Sequence, residues 1–293
     1  MPIVSKNRRR EKFLLVGEMG SGKTYATCSI ARVLNFWSNQ QIVHVIDTED
    51  AWAANLEEFP EFEFQDDEYR IWSPNRPMSV YRAENVAIKV YLCLTYQEVL
   101  DATDLIAKDM KSRGAAGLED WVVVDRVSIV WPLAAPHWVR TVLKKDPDEM
   151  QRAFVASGKT GDPFFEYYRS GINPMWASWE NRVLYELGGH VVFSAIEKKL
   201  NKEQNKFKDK NFILMMMEKA GVKAGGNSGT PGLVHSVIRF WHARAVPVNE
   251  WRMLTCKERG GRAWFGKDRQ LEEGVSFADG YLLDPEFAGW KIV

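Results

Sequence analysis

The sequence predicts an α/β fold in which a mostly parallel central sheet is flanked by helices and followed by a C-terminal antiparallel hairpin. Two observations predict it, and the composition agrees with a folded globular protein. Short apolar runs alternate with helical patterns along most of the chain, which is typical of strand and helix layers. The last two apolar runs, residues 237–243 and 251–256, favour an antiparallel pair. The hydrophobic fraction of 45% and the charged fraction of 27% are ordinary for a globular protein.

Each predicted strand is a short apolar run. In chain order, the predicted strands are residues 13–16, 42–46, 86–94, 121–124, 190–195, 237–243 and 251–256. The run 86–94 fits either a strand of the main sheet or part of an edge hairpin. The predicted helices are residues 25–36, 96–111 and 173–187. In the last helix we expect Asn173 as the cap and Pro174 in the first turn, and Gly188 ends it.

Charge and composition exclude several classes of protein. The 293 residues include 39 Lys+Arg and 39 Asp+Glu, which argues against a uniformly basic nucleic-acid binder and against an acidic tail protein. The three cysteines form no C-x-x-C pair, so neither a zinc site nor a disulfide framework is predicted. No apolar run could span a bilayer and no signal peptide is visible. We therefore expect a cytoplasmic protein without membrane contacts.

We expect a basic N-terminal arm, residues 1–12, followed by a single domain, residues 13–293. The length is near the upper limit for one hydrophobic core. Within the domain, residues 132–171 are punctuated by Pro and Gly, which predicts an insertion. Residues 198–232 begin with a Lys-rich stretch and end in a Gly-rich run, which predicts a mobile loop.

The strongest signal is a phosphate-binding loop. Residues 17–24 satisfy G-x-x-x-x-G-K-[ST] between an apolar strand and a helix. The glycines let successive N–H groups point at phosphate oxygens, and the positive end of the helix adds to the attraction. Lys23 is expected to neutralise the β- and γ-phosphates, and Thr24 to coordinate Mg²⁺. We therefore expect ATP and Mg²⁺ as ligands. The expected nucleotide contacts are Gly17, Glu18, Met19, Gly20, Ser21, Gly22, Lys23, Thr24 and Tyr25.

Rival interpretations of the glycines fail on single residues. A dinucleotide fingerprint starting at Gly20 would need a third small residue where Tyr25 stands. Base selection by a GTPase would need N-K-x-D, and Lys208 occupies the Asp position of the nearest match. A second Gly-Lys-Thr, residues 158–160, has Ala153 where the first glycine should stand, and no strand precedes it. ATP is therefore favoured.

Three more residues are candidates for the chemistry. A second buried strand must supply a carboxylate that holds Mg²⁺, and Asp125 ends such a strand, although it fits a turn cap as well. Arg126 follows it, so the glutamate that orients water must lie elsewhere. Glu49 follows another strand and faces the expected ligand crevice, but it also belongs to an acidic run. Ser194, at the end of a further strand, is either a γ-phosphate sensor or a core serine.

Taken together, these residues resemble the RecA/KaiC-like branch of P-loop ATPases. The features that carry the resemblance are residues 17–24, the Ile-Asp-Thr-Glu at 46–49 and the Val-Val-Val-Asp at 122–125. In that branch the glutamate after the second strand serves catalysis, which the resemblance implies for Glu49. The fold implied is a RecA-like domain.

A fourth match concerns a neighbouring subunit. Residues 254–261 look like the K-x-R element with which KaiC-type proteins reach the nucleotide of the next subunit. The resemblance therefore implies that Lys257 and Arg259 stabilise transition-state charge in trans, and that the protein forms a homo-oligomer, either a ring or a filament. A basic hairpin on the solvated surface is the alternative.

Within that branch, the chain resembles phage-encoded RecA-like single-strand-annealing or recombination ATPases, through residues 176–182 and 187–198. This implies the host cytoplasm as its location. Family members commonly carry Thr, His or Gln near the end of the sensor strand, where this chain has Ser194, Ala195 and Ile196. The insertion at 132–171 has no clear counterpart in the family.

The loop after the sensor strand is the candidate DNA-binding surface. RecA-like proteins contact DNA through mobile loops that follow the inner strands, and a flexible cationic loop suits a phosphate backbone. A solvated charged loop is the alternative. The residues expected to bind DNA are Lys198, Lys199, Lys202, Lys206, Lys208 and Lys210.

We therefore expect an ATPase that acts on single-stranded DNA in recombination, annealing or replication, as an oligomer. A DNA-translocating motor, such as a packaging ATPase or a helicase, is one alternative. A nucleotide-switched scaffold or helicase loader with weak turnover is another. A small-molecule kinase is disfavoured because no Arg-rich lid is visible.

Overall fold

The structure is a computed structural model that describes residues 10–35, 40–73, 76–199, 222–226, 229–245, 248–257 and 268–271. In these ranges the strands are β1 Lys12–Gly17, β2 Gln41–Asp47, β3 Glu63–Phe64, β4 Arg70–Ser73, β5 Arg76–Arg82, β6 Val86–Leu92, β7 Trp121–Asp125, β8 His190–Lys199, β9 Val222–Ala224, β10 Ser236–Ala245, β11 Val248–Lys257 and β12 Asp268–Leu271. The α-helices are α1 Lys23–Asn35, α2 Trp52–Leu56, α3 Tyr96–Ser112, α4 Val127–Trp138, α5 Pro147–Ala156, α6 Asn173–Asn181 and α7 Thr230–Leu233. None of the helices in this part of the chain has the length and apolar character needed to cross a bilayer.

Parallel strands form the centre of the sheet. They lie in the order β10, β1, β8, β7, β2 and β6, so β8 separates the strand that precedes the phosphate loop from the strand that ends in Asp125. Gly17 is in register with Ile196, and Asp47 with Asp125. The carboxyl ends of these strands therefore meet at one edge of the sheet, which is where α/β sheets bind ligands.

Antiparallel strands extend the sheet on both sides. Beyond β10 lie β11 and β12. On the other side β5 pairs with β6, and both β3 and β4 pair with β5. Residues 86–94 were predicted to be either a strand of the main sheet or part of an edge hairpin. Both interpretations hold, because β6 is parallel to β2 and also forms a hairpin with β5. The observed sheet confirms the predicted α/β class and its C-terminal antiparallel pair.

Helices cover both faces of the sheet. One apolar cluster contains buried residues of α1 and α2, and the other contains buried residues of α3, α4 and α6. Within β1, Phe13 and Leu15 belong to the first cluster, whereas Leu14 and Val16 belong to the second. A strand that is buried on both faces has to be continuously apolar, which explains why the central strands are visible in the sequence.

Two predicted boundaries change. β1 begins at Lys12, inside the predicted arm, and Arg10 forms an ion pair of 2.8 Å with Glu119. Residues 10–12 therefore pack with the domain, and residues 1–9 lie outside the described part. The prediction that Asn173 caps a helix was wrong. A π-helical turn, Tyr168–Ile172, runs directly into α6, so Asn173 follows a residue that is already helical and its side chain makes no capping bond.

The segment 132–171 is mostly helical. Pro132 and Pro136 lie inside α4, and a π-helical turn, Val139–Leu143, continues that helix. Asp146 then caps α5 through a side-chain bond to the N–H of Asp148. Three of the prolines that suggested an insertion, Pro132, Pro136 and Pro147, therefore lie within helices.

Candidate nucleotide-binding site

The glycine-rich loop makes a tight turn between β1 and α1. Gly20 and Gly22 adopt positive φ angles of 72° and 83°, which glycine allows without strain. Gly17 is needed for a different reason, since a Cβ there would lie 2.3 Å from Ser21 Oγ and 2.4 Å from the Phe240 carbonyl oxygen. The loop ends at Lys23, where α1 begins, so its last residues lie at the positive end of a helix.

Lys23 is folded onto its own loop. Its Nζ donates to the carbonyl oxygens of Gly17 at 3.0 Å and Glu18 at 2.6 Å, and to Ser21 Oγ at 3.2 Å. Burial, together with the charge of Arg126, lowers the pKa of Lys23 to about 8. Burial makes the charged form of Lys23 costly, and an anionic ligand would offset that cost.

The other predicted loop contacts differ in exposure. Met19 is exposed to 74% of its surface. The Tyr25 ring packs against Phe59, with 4.9 Å between the ring centroids. Ser21 is buried, and its hydroxyl is one of the acceptors of the Lys23 ammonium.

Thr24 and Asp125 meet across the loop. The Thr24 hydroxyl donates to Asp125 Oδ2 at 2.8 Å, although the two residues are 101 positions apart in the chain. Both groups offer oxygen ligands of the kind Mg²⁺ prefers. Over the described ranges, no cluster of three or more His, Cys, Asp or Glu side chains could hold a metal alone. The Thr24 hydroxyl and the Asp125 carboxylate would suit a Mg²⁺ ion bound together with nucleotide phosphates.

Asp125 is held by two further side chains. Trp52 Nε1 donates to Asp125 Oδ2 at 3.2 Å, and the Ser194 hydroxyl donates to Oδ1. Trp52 and Ser194 are both fully buried. In this arrangement the Ser194 hydroxyl contacts the carboxylate expected to hold Mg²⁺.

A second carboxylate lies beside the first. Asp47 is in register with Asp125 at the ends of adjacent parallel strands. It accepts bonds from the N–H groups of Glu49 at 2.9 Å, Ala51 at 2.9 Å and Trp52 at 3.1 Å, which shape the turn into α2. Burial raises the pKa of Asp47 to about 7, while the bonds from Trp52 and Ala51 act in the opposite direction. Asp47 therefore positions the segment that carries Glu49.

Glu49 forms an ion pair with Arg126. Glu49 is partly exposed, whereas the Arg126 side chain is 9% exposed. The Arg126 backbone is fixed as well, because its N–H donates to Thr48 Oγ1 at 2.8 Å. The predicted base and the residue after Asp125 thus face each other at the carboxyl edge of the sheet.

Another ion pair crosses the end of β1. Arg239 on β10 donates to Glu197 on β8 through Nε at 2.8 Å and through Nη2 at 3.2 Å. β1 lies between these two strands. Glu197 also counteracts the lowering of the Lys23 pKa, so this bidentate pair borders the loop.

The predicted DNA-binding residues are described in part. Lys198 and Lys199 are exposed at the end of β8, on the same edge of the sheet as the phosphate loop. β9 returns alongside them and places Lys223 opposite Lys198. The remaining candidates, Lys202, Lys206, Lys208 and Lys210, lie outside the described residues.

Of the two residues of the K-x-R element, Lys257 lies within the described ranges. Lys257 ends β11 in register with Val237, near the start of β10, whereas the phosphate loop is level with Phe240. The backbone of Lys257 therefore lies toward the edge of the sheet away from the loop of its own chain. Arg259 lies outside the described residues.

Several site residues were missed by sequence reasoning. Trp52 and Glu197 contribute through contacts with distant segments, which no local motif reveals, whereas Asp47 bonds to nearby backbone N–H groups. In the sequence, Arg126 was noted only because it follows Asp125 where a glutamate that orients water was sought. The available signal was its position, since a residue directly after a metal-binding carboxylate at a strand end has to lie at the site.

Comparison with known proteins leaves the family open. No protein-family model and no curated protein sequence matches the chain. The solved structures that match the chain in outline include one from an archaeon. It is a KaiC-like protein of the hyperthermophilic archaeon Pyrococcus horikoshii, with a TM-score of 0.46, 13% sequence identity, and coverage of 94% of this chain and 93% of that one. The superposition is loose, so the function proposed below rests on residues of this chain.

Proposed function

We propose that the protein is a RecA-like ATPase that binds ATP with Mg²⁺ and hydrolyses it while acting on single-stranded DNA. The observation that carries the nucleotide part is the 2.8 Å hydrogen bond between Thr24 and Asp125. It joins the last residue of a phosphate-loop motif to a carboxylate at the end of a second buried strand, and ATPases of this class require that combination.

The roles of the residues follow from their positions. The loop and the N-terminus of α1 bind the phosphates, and Lys23 leaves the Gly17 and Glu18 carbonyls to contact the β- and γ-phosphates. Thr24 and Asp125 hold Mg²⁺, which when bound supplies charge neutralisation at the phosphates. Ser194 and Trp52 keep the Asp125 carboxylate oriented.

Glu49 is the proposed base. It follows β2 at the edge that carries the loop, and its backbone is tied to Asp47. A carboxylate there orients the attacking water and accepts its proton as the oxygen bonds to the γ-phosphorus and the bond to ADP breaks. Its ion pair with Arg126 places the carboxylate next to a cation.

Single-stranded DNA is the proposed polymer. The support is that Lys198, Lys199 and Lys223 cluster where β8 and β9 leave the loop edge of the sheet, and lysines suit contact with a phosphate backbone. We further propose a homo-oligomer in which Lys257 and Arg259 of one subunit act on the nucleotide of the next. The displacement of Lys257 from its own loop supports action in trans.

The nucleotide proposal is tested by ATP hydrolysis of wild type, Lys23→Ala and Lys159→Ala. Lys159 is a matched control because it belongs to the second Gly-Lys-Thr, is exposed, and is far from β1 in sequence. We expect Lys23→Ala to lose at least about 100-fold in rate, and Lys159→Ala to keep the wild-type rate. Equal rates for all three proteins would refute the proposed site.

The DNA proposal needs a separate measurement. Fluorescence anisotropy with a labelled single-stranded oligonucleotide, at two salt concentrations, compares a Lys198→Ala/Lys199→Ala variant with a Lys144→Ala/Lys145→Ala variant of equal net charge. Lys144 and Lys145 are exposed and precede α5. We expect only the first variant to bind more weakly and with a shallower salt dependence. If both variants bind like wild type, the β8–β9 surface is not the DNA site.

A further inference from the structure

Arg126 is a buried cation whose hydrogen-bonding capacity is only partly used. The residue is 7% exposed, and its guanidinium pairs with Glu49. Its Nε is buried and has no hydrogen-bond partner within the described portion of the chain. Leaving a buried donor unsatisfied costs free energy, and more so when the group is charged. The position therefore favours a ligand that can accept from the guanidinium.

The chemistry of the surroundings indicates which ligand. Arg126 directly follows Asp125, which contacts Thr24 of the phosphate loop. The charge of Arg126 lowers the pKa of Lys23, so the two buried cations lie close enough to repel each other. A guanidinium presents a planar fork that matches phosphate oxygens. A terminal phosphate would bring further negative charge to this pair of cations, and an acceptor for the unsatisfied Nε of Arg126.

We propose that Arg126 is a γ-phosphate ligand of the same subunit and that it exchanges partners when ATP binds. Without nucleotide, the guanidinium pairs with Glu49 and keeps that carboxylate from orienting water. With ATP, it turns to the γ-phosphate and releases Glu49. ADP lacks the γ-phosphate, so the Arg126–Glu49 pair persists in the ADP state. This inference rests on the proposed ATPase function and adds a residue that distinguishes the two nucleotides.

The test compares the affinities of ATPγS, a slowly hydrolysed triphosphate, and of ADP for wild type, Arg126→Gln and Glu49→Gln, with Mg²⁺ present. A charged hydrogen bond contributes about 1.5–3 kcal/mol, so Arg126→Gln should bind ATPγS about 10- to 100-fold more weakly and ADP as wild type does. Glu49→Gln frees the guanidinium without removing it, and should bind ATPγS at least as tightly as wild type while losing turnover.

The possible results distinguish failure of the proposed ATPase function from failure of the proposed role of Arg126. If wild type binds neither nucleotide, the proposed ATPase function fails. If wild type binds both and Arg126→Gln keeps the wild-type ratio of ATPγS to ADP affinity, or weakens both equally, the role of Arg126 is overturned. Circular dichroism reports whether Arg126→Gln folds. If it does not fold, Glu49→Gln decides, because a fall in its ATPγS affinity relative to ADP contradicts competition between Glu49 and the phosphate.

Discussion

The Thr24 hydroxyl donates to Asp125 Oδ2 at 2.8 Å, across 101 positions of the chain. The strands that position these residues are not neighbours, because β8 lies between β1 and β7. The same intervening strand brings Ser194 to the other oxygen of the Asp125 carboxylate. The order of the strands, rather than any local motif, therefore assembles the candidate metal site.

The first prediction concerns the Thr24 hydroxyl. Thr24→Ala removes one expected Mg²⁺ ligand, so nucleotide binding should need at least about tenfold more Mg²⁺. Thr24→Ser keeps the hydroxyl and should behave like wild type. The measurement is ATP affinity as a function of Mg²⁺ concentration, with EDTA as the reference, where all three proteins should bind equally. An identical Mg²⁺ dependence in Thr24→Ala would remove Thr24 from the site.

The second prediction separates two roles for Ser194. Its hydroxyl contacts Asp125, so Ser194→Ala should raise the Mg²⁺ requirement and leave the preference for ATP over ADP unchanged. If Ser194 were instead a γ-phosphate sensor, Ser194→Ala would reduce the preference for ATP over ADP and leave the Mg²⁺ requirement unchanged. Ser128→Ala is the matched control, because the Ser128 hydroxyl accepts from the Ile196 N–H at 3.1 Å and lies near the same strand end. Both affinities can be measured by competition with a fluorescent nucleotide.

The third prediction compares two glycines of the loop. In Gly17→Ala the new methyl group would lie 2.4 Å from the Phe240 carbonyl oxygen, so β10 has to shift. Overpacking of this kind costs up to about 3 kcal/mol. In Gly20→Ala nothing lies within 4 Å, and only the positive φ is strained, at about 1 kcal/mol. Denaturant unfolding without nucleotide should therefore rank Gly17→Ala as the less stable variant, and the reverse order would contradict this packing.

Much of the fold could be predicted from the sequence because its signals are local. The central strands are apolar on both faces, so each appears as a short run, as β1 and β7 do. Helix α3 carries a capping box, in which Thr95 accepts from the Glu98 N–H and the Glu98 side chain accepts in return. The glycine-rich loop is equally local, since its geometry depends on a few adjacent residues.

The remaining features depend on contacts between distant segments. The sequence could place Glu49 and Arg126 at strand ends, but their ion pair requires β2 and β7 to be neighbours in a particular register. Asp47 was visible as part of the Ile-Asp-Thr-Glu at 46–49, but its position beside Asp125 also requires β2 and β7 to be neighbours. The error at Asn173 has a different, local origin, because the helical turn directly before it overrode the cap signal.

The last prediction follows from the burial of Lys23. Burial lowers the pKa of Lys23 to about 8 in the free protein, so much of it is neutral at pH 9. Bound phosphates favour the charged form and raise this pKa. ATP binding should therefore take up a large fraction of a proton at pH 9 and almost none through this group at pH 6.5, and affinity should fall as the pH rises above 8.

Isothermal titration calorimetry in two buffers of different ionisation enthalpy measures the uptake at each pH. Lys23→Met has no ammonium to protonate, so it should bind with much less proton uptake at pH 9, which assigns the difference to this side chain. Proton uptake by wild type that is the same at pH 6.5 and pH 9 would show that Lys23 stays charged in the free loop. In that case its three bonds to Gly17, Glu18 and Ser21 would outweigh the cost of burying the charge.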